Sequence, residues 1–379
     1  MKNKNIYLDN HSSTKIDERV YKKMVPFFDQ IYGNPHSESH SHGWVSNNFI
    51  DLSRSKIAKS INAKNEEIFF TSGATESNNL ILKGLAFSQK NKNHIITCVT
   101  EHKCILESCN FLNALGYKVT YLKVNKYGEL NLSDLKKSIN KKTFLVTLMH
   151  VNNEIGTIHP LAKVGEICKK RNIFFHTDAS QSLGKIKFNV NDLNLDFASF
   201  SSHKIYGPQG IGCFYVRKRN DVKLTPLFSG GGQENGLRSG TLPTALCVAF
   251  GYAVELVEKE RIKTSKKIKK MKHLFLKILD KEKITYKLNG RNTVDNNINI
   301  TLSPYVKNES LISKLDDISL SSGSACGSGS GEPSYVLKEI GLNKEEAKST
   351  LRIGIGKNNT EKELEYCAVK ITKILKKLS

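Results

Sequence analysis

A lysine forms an imine with an aldehyde only where its amine can lose a proton inside a shielded pocket, and Lys204 is placed for that chemistry. It follows the β-rich run Phe197–Ser201 and precedes the turn Gly207-Pro-Gln-Gly210. Ser201 and His203, on either side of Ser202, add hydroxyl and imidazole donors of the kind that hold a phosphate. The same spacing also fits an exposed lysine beside a hairpin. A second block, Thr71-Ser-Gly-Ala-Thr-Glu-Ser-Asn78, passes from the strand Ile68–Phe70 through small residues into the amphipathic run Leu80–Leu85. A helix start of that kind offers backbone N–H groups and the positive dipole end to an anion, and Thr75 adds a hydroxyl. An ordinary N-capped turn would read alike. Third, Ile173–His176 runs into Thr177-Asp-Ala-Ser-Gln181, which sets Asp178 at the C-terminal end of a strand, where open α/β sheets bind ligands. A carboxylate there can keep a pyridine nitrogen protonated and so make the ring an electron sink, although a helix N-cap is the commoner role for such an aspartate.

The elements that would carry these groups alternate. Short apolar runs (Ile68–Phe70, His94–Val99, Val119–Leu122, Phe144–Met149, Ile173–His176, Phe197–Ser201, Ile211–Val216) are separated by longer amphipathic stretches. That pattern predicts an α/β fold with a mostly parallel sheet. Phe144–Met149 is apolar almost throughout, as befits a strand covered on both faces. After about Gly251 the texture changes to a lysine-rich helix with one apolar face including Ile262, Ile268, Leu274 and Phe275, then strand candidates at Ile298–Leu302 and Leu351–Ile355. We expect a large domain over residues 14–255. A smaller α+β domain is expected from residues 1–13 and 256–379. No repeat of solenoid or propeller period is present.

With 58 Lys+Arg against 36 Asp+Glu the formal net charge is +22, which invites a polyanion partner. The lysines are spread along the chain, however, and a general bias towards Lys, Asn and Ile accounts for them, so direct nucleic-acid binding is not expected. An acidic protein partner remains compatible. Eight cysteines without a Cys-x-x-Cys pair suit reduced thiols in a cytosol. The N-terminus lacks an apolar run of signal length and no stretch reaches membrane-span length, which predicts a soluble cytoplasmic protein with no membrane contact.

The three blocks sit among others: Gly33-Asn-Pro35, Thr100-Glu-His102, Met149-His-Val-Asn-Asn-Glu-Ile-Gly156, Arg238-Ser-Gly-Thr241, Ser321-Ser-Gly-Ser-Ala-Cys326 and Glu332-Pro-Ser-Tyr335. Together they resemble the cysteine desulfurases of the NifS/IscS type, within the class-V aminotransferase group of fold-type I pyridoxal-phosphate enzymes, over essentially the whole chain. The resemblance implies a homodimer with a seven-stranded, mostly parallel sheet. It implies pyridoxal 5′-phosphate on Lys204 as Schiff-base lysine, with Ala74, Thr75, Ser201 and His203 around its phosphate and Thr241 reaching the phosphate of the other subunit. Asp178 would meet the pyridine nitrogen and Gln181 the ring hydroxyl. His102 would stack on the ring and move protons, and Asn153 would touch ring or substrate. For L-cysteine itself, Arg352 resembles the carboxylate-binding arginine, where a bidentate fork is apt, and Asn34 is a further substrate contact.

Cys326 would be the sulfur acceptor. From Ser321 to Gly331 every other side chain is Ser, Gly or Ala, so the loop has little to bury and should be mobile and exposed. The implied reaction takes sulfur from L-cysteine, leaves L-alanine and makes a persulfide on Cys326, which passes to an iron-sulfur scaffold or another acceptor such as the tRNA-thiolation machinery. The resemblance implies no metal site of the chain's own, and allows Cys326 a transient cluster ligation shared with a scaffold. The other seven cysteines are expected to serve packing. Selenocysteine lyase, or another cysteine-processing pyridoxal enzyme, shares the cofactor residues, and a nucleic-acid-binding or scaffold protein would need none of them.

The chain departs from the family in four places, one of them Gly327-Ser-Gly, which follows the cysteine where a Thr-Ser-Ala pattern is common. Asn10-His-Ser-Ser-Thr-Lys15 stands where an aromatic-Ser-Ala-Thr-Thr-Pro string is common, and Gln233 replaces a frequent histidine. The sequence is also expected to stop soon after its final helix, at Leu375-Lys-Lys-Leu-Ser379, without the tail that some relatives use to dock a scaffold.

Overall fold

A computed structural model describes residues 5–303, 305–322 and 333–378. Its strands are β1 (Ile6–Tyr7), β2 (Ile68–Thr71), β3 (His94–Cys98), β4 (Lys118–Leu122), β5 (Thr143–Thr147), β6 (Phe174–Asp178), β7 (Phe197–Ser201), β8 (Gly212–Val216), β9 (Thr285–Leu288), β10 (Asn297–Ser303), β11 (Ile318–Ser319) and β12 (Thr350–Gly354). Seven of them form the main sheet in the order β2-β8-β7-β6-β5-β3-β4. Its β7-β6-β5-β3-β4 pairings are parallel, and β8 runs antiparallel to both its neighbours. The expected α/β architecture is therefore present. Strands β5 and β7 are buried at every residue, and apolar clusters cover the sheet on both sides.

Parallel strands point their C-terminal ends the same way, and that edge is where the candidate residues collect. The chain leaves β3 into Thr100–His102, leaves β5 into Met149–Asn153, ends β6 on Asp178 and leaves β7 into His203–Lys204. Close backbone approach fixes one end of this edge. A Cβ on Gly212 would lie 2.5 Å from the Phe200 carbonyl oxygen and 2.6 Å from Gly73 Cα, so only glycine lets β8 pass beneath the turn before helix Ala74–Ser88.

The C-terminal part has its own three-stranded antiparallel sheet, β12-β10-β9, and its own apolar cluster. Strand β1 pairs in parallel with β11 and joins that cluster through Ile6 and Leu8. One 38-residue helix, Thr244–Lys281, runs from the large sheet's core into this part. It begins fifteen residues before the lysine-rich stretch that signals it, because its first turns are apolar on all sides and show no amphipathic period. Its second half buries Ile268, Met271, Phe275 and Leu279 at helical spacing. Ile262, expected on that face, is instead 65% exposed.

Candidate active site

A cavity of about 570 Å³ opens at the strand ends, and its lining includes Lys204, Asp178, His102 and Arg352. At one end stands helix Ala74–Ser88, whose N-cap Gly73 contributes no side-chain cap, so its first-turn N–H groups face the cavity beside Ala74, Thr75, Ser201 and His203. Arg238 fixes that turn from outside, its Nε 2.9 Å from Glu76 Oε1, while Glu76 also accepts from the Ser72 N–H at 2.8 Å. Burial, then the charges of Lys204 and Lys185, hold the His203 imidazole down at about 4. It therefore stays neutral near pH 7.

Lys204 lies in the short turn Ser202–Lys204, and its Nζ donates to the carbonyl oxygens of His11 (2.7 Å) and Ser12 (2.6 Å). Those carbonyls belong to the N-terminal segment that diverges from the family string, and they hold the amine at the cavity wall. Asp178 is almost fully buried, accepting from Asn78 Nδ2 at 2.7 Å and from the Ser180 N–H at 2.9 Å. Its carboxylate is thus aimed rather than free to rotate. Gln181 Nε2 donates to the His11 carbonyl at 2.9 Å.

His102 caps helix Lys103–Ala114 through its own ring: Nδ1 accepts from the Cys104 N–H at 3.3 Å. Cys104 Sγ lies 3.1 Å from the same nitrogen and 3.2 Å from Asn78 Nδ2, closing a chain Asp178–Asn78–Cys104–His102. Cys104 lines the cavity, so the expectation that it serves packing alone is corrected: a helix turn of Lys103-Cys104 at the sheet edge carries the thiol into the site. The other described cysteines, at 98, 109, 168, 213, 247 and 367, are buried as expected.

Arg352, on β12, is 2% exposed. Its Nη2 is 2.8 Å from Asp9 Oδ1 and its Nη1 donates to the Asn153 carbonyl at 3.2 Å, while Nε, in the described residues, has no partner. Asn153 Oδ1 is likewise buried without a partner. Hydrogen-bonding capacity is therefore left over where a substrate would lie. Asn34 and Thr241 are exposed and lie outside this chain's cavity lining, and Asn34 Oδ1 instead accepts from the His36 N–H at 3.0 Å.

Cys326 lies outside the described residues, as does most of its loop. Both flanks are at the cavity. Ser321 exchanges backbone hydrogen bonds with Arg352 (2.8 and 3.3 Å), and on the other side Ser334 donates to Glu154 while Tyr335 lines the cavity.

These donors fit pyridoxal 5′-phosphate. An open helix N-terminus with hydroxyl donors suits a phosphate, an aimed buried carboxylate suits a pyridinium, and a held amine suits the aldehyde. The sequence alone assigns no part in the site to His11, Asn78, Cys104 or Lys185. The divergent Asn10–Lys15 string was the one signal for His11.

The model of the aminotransferase class-V family matches residues 6–367, and the chain belongs to that family. Among curated proteins it is 49% identical over 375 residues to the cysteine desulfurase IscS of Rickettsia typhi, covering 98% of this chain and 92% of that protein. It is 48% identical over 364 residues to a probable mitochondrial cysteine desulfurase of Dictyostelium discoideum, covering 95% and 81%. Among solved structures it superposes on a NifS-like protein with a TM-score of 0.91 at 36% identity, covering 98% and 99% of the two chains. SspA, solved in complex with cysteine, gives 0.83 at 38% identity, covering 94% and 100%. Among the described residues no cluster of His, Cys, Asp and Glu could hold a metal ion, and no helix is long and apolar enough to cross a membrane.

Proposed function

We propose that this chain is a pyridoxal-phosphate-dependent cysteine desulfurase, which converts L-cysteine and the Cys326 thiol to L-alanine and a Cys326 persulfide. The observation that carries the reading is one cavity that gathers Lys204, Asp178 and an open helix N-terminus, with both flanks of the Cys326 loop at its edge. When bound, the cofactor supplies an electron sink for the bonding electrons at the substrate's carbon. The chain's own residues do the rest. The first turn of helix Ala74–Ser88, with Thr75, Ser201 and His203, anchors the phosphate, and Asp178 keeps the pyridine nitrogen protonated. Arg352 binds the substrate carboxylate and so orients its sulfur. Lys204 and His102 take and return protons at the substrate. The Cys326 thiolate forms a bond to the substrate sulfur as the carbon–sulfur bond breaks, and the carbon left behind takes a proton to become the methyl group of alanine.

A homodimer completes the site in this reading. Thr241 and Asn34 are exposed and away from the cavity of their own chain, so the roles assigned to them need a second subunit or a closing movement. Phe28, Tyr32 and Trp44, each more than half exposed near Asn34, supply apolar surface for such a contact. The persulfide then passes, in the cytoplasm, to an iron-sulfur scaffold or another thiol acceptor. Protein loaded with cofactor and given L-cysteine with a thiol reductant should release alanine and sulfide in equal amounts. Sulfide with pyruvate in place of alanine would contradict the reading.

A further inference from the structure

Behind Lys204 lies a second, smaller cavity of about 150 Å³, which shares Lys204 with the main one and is lined by Lys185, Asn296 and Arg261 among others. Lys185 follows Gln181 by one turn, and its Nζ donates to Gln181 Oε1. The opposite end of the same amide, Nε2, donates to the His11 carbonyl at 2.9 Å. A backbone carbonyl accepts only and an amine at this position donates, so the two partners together determine which end of the amide is nitrogen. Nε2 retains one further hydrogen. Gln181 is 4% exposed and lines the main cavity, which leaves that hydrogen for a group bound there.

We propose that Lys185 is a positioning residue for the cofactor: by occupying Gln181 Oε1 it makes Gln181 a pure donor to the ring hydroxyl oxygen and keeps its carbonyl turned away. The inference rests on the placement of Gln181 at that oxygen. A lysine kept for solubility would reach into water; this one is half-buried, folded back onto a neighbour four residues earlier. Burial, followed by the charges of Lys204 and Arg352, brings its amine down to about 7, and either protonation state can donate to Oε1. Without Lys185 the Gln181 oxygen becomes a buried acceptor lacking a partner. Turning the amide over to relieve it would set oxygen against the His11 carbonyl and remove the donor from the ring.

The test is a binding measurement that does not depend on turnover. Apoprotein is titrated with pyridoxal 5′-phosphate by equilibrium dialysis for wild type, Lys185→Met, Lys185→Arg, Gln181→Leu and the Lys185→Met/Gln181→Leu pair, with folding of each apoprotein checked by circular dichroism. Lys185→Met should weaken binding roughly tenfold, the scale of one orphaned buried acceptor. Lys185→Arg, which keeps a donor at this position, should restore most of it, and Lys185→Met should add nothing in the Gln181→Leu background. Lys185→Met within twofold of wild type, or losses that add in the pair, would overturn the proposal. Gln181→Leu binding as wild type would instead overturn the placement of Gln181. Should Lys185→Met fail to fold, a Lys185→Arg protein that binds as weakly as Gln181→Leu rules the proposal out, and one that binds as wild type supports it.

Discussion

Replacing Arg352 by lysine keeps the charge and removes the fork. Among the described residues, two of the five guanidinium N–H groups are committed, one to Asp9 and one to the Asn153 carbonyl, and the Nε hydrogen has no partner. Three hydrogens are then left, and in the proposed reaction a substrate carboxylate would take two of them. Each charge-assisted hydrogen bond contributes about 1.5–3 kcal/mol. A lysine ammonium can keep one of the two, so Arg352→Lys should lower kcat/KM for L-cysteine roughly 10- to 150-fold. Arg352→Ala, losing both, should lower it by about two to four orders of magnitude. The assay is the initial rate of alanine formation over a range of cysteine concentrations, with thermal unfolding as a check that loss of the Asp9 pair has not unfolded the chain. Cysteamine, which lacks the carboxylate, provides the internal control: its binding, read by competition against pyridoxal-phosphate spectral changes, should be the same in wild type and variant. If Arg352→Lys stays within threefold of wild type in kcat/KM, or if cysteamine loses as much as cysteine, Arg352 does not bind the carboxylate.

Three further outcomes follow from other parts of the molecule. Glu234 receives Arg54 through both oxygens (2.7 and 3.1 Å) and also the Phe70 N–H of β2, so Glu234→Ala should cost about 3–5 kcal/mol in urea unfolding, and a loss under about 1 kcal/mol would show the buried pair to be idle. Burial holds His150 at about 3 and His159 at about 4, against about 6.5 in the unfolded chain. The unfolded chain thus takes up protons that the folded one refuses, and the stability present above pH 6.5 falls by roughly 3 kcal/mol for each histidine as the pH drops to 4. His159→Leu should flatten the measured dependence on that side, and an unchanged slope would refute the assignment. In a Cys326→Ser background, a small alkylating reagent should label Cys104 ahead of the six buried cysteines, with protection by pyridoxal phosphate; labelling indifferent to the cofactor would place Cys104 outside the site.

The strands of the large sheet were legible because each is a short apolar run between polar stretches, and Asp178 and Lys204 were legible because a strand end carries them by chain adjacency alone. What tertiary contact decides was not. Asn78 and Cys104 are 26 residues apart and meet only because helices Ala74–Ser88 and Lys103–Ala114 pack together, and nothing in either helix's period marks the cavity side. His11 reaches Lys204 and Gln181 from more than 160 residues away. Strands β1, β9 and β11 escaped notice because they are short or exposed, so neither an apolar run nor a clean alternation marks them. The start of helix Thr244–Lys281 was hidden by burial on every side, which erases the amphipathic signal.

In the proposed reaction, Cys326 takes sulfur from substrate held by a Lys204-bound cofactor. Cofactor-loaded protein mixed with an equal amount of L-cysteine, without reductant, can be digested and the Cys326 peptide weighed by mass spectrometry. That peptide should gain one sulfur atom, with alanine formed in equal amount, and neither should occur in Lys204→Ala or Cys326→Ser. Alanine formed at the wild-type rate by Cys326→Ser, or sulfur found on another cysteine instead, would contradict that reaction.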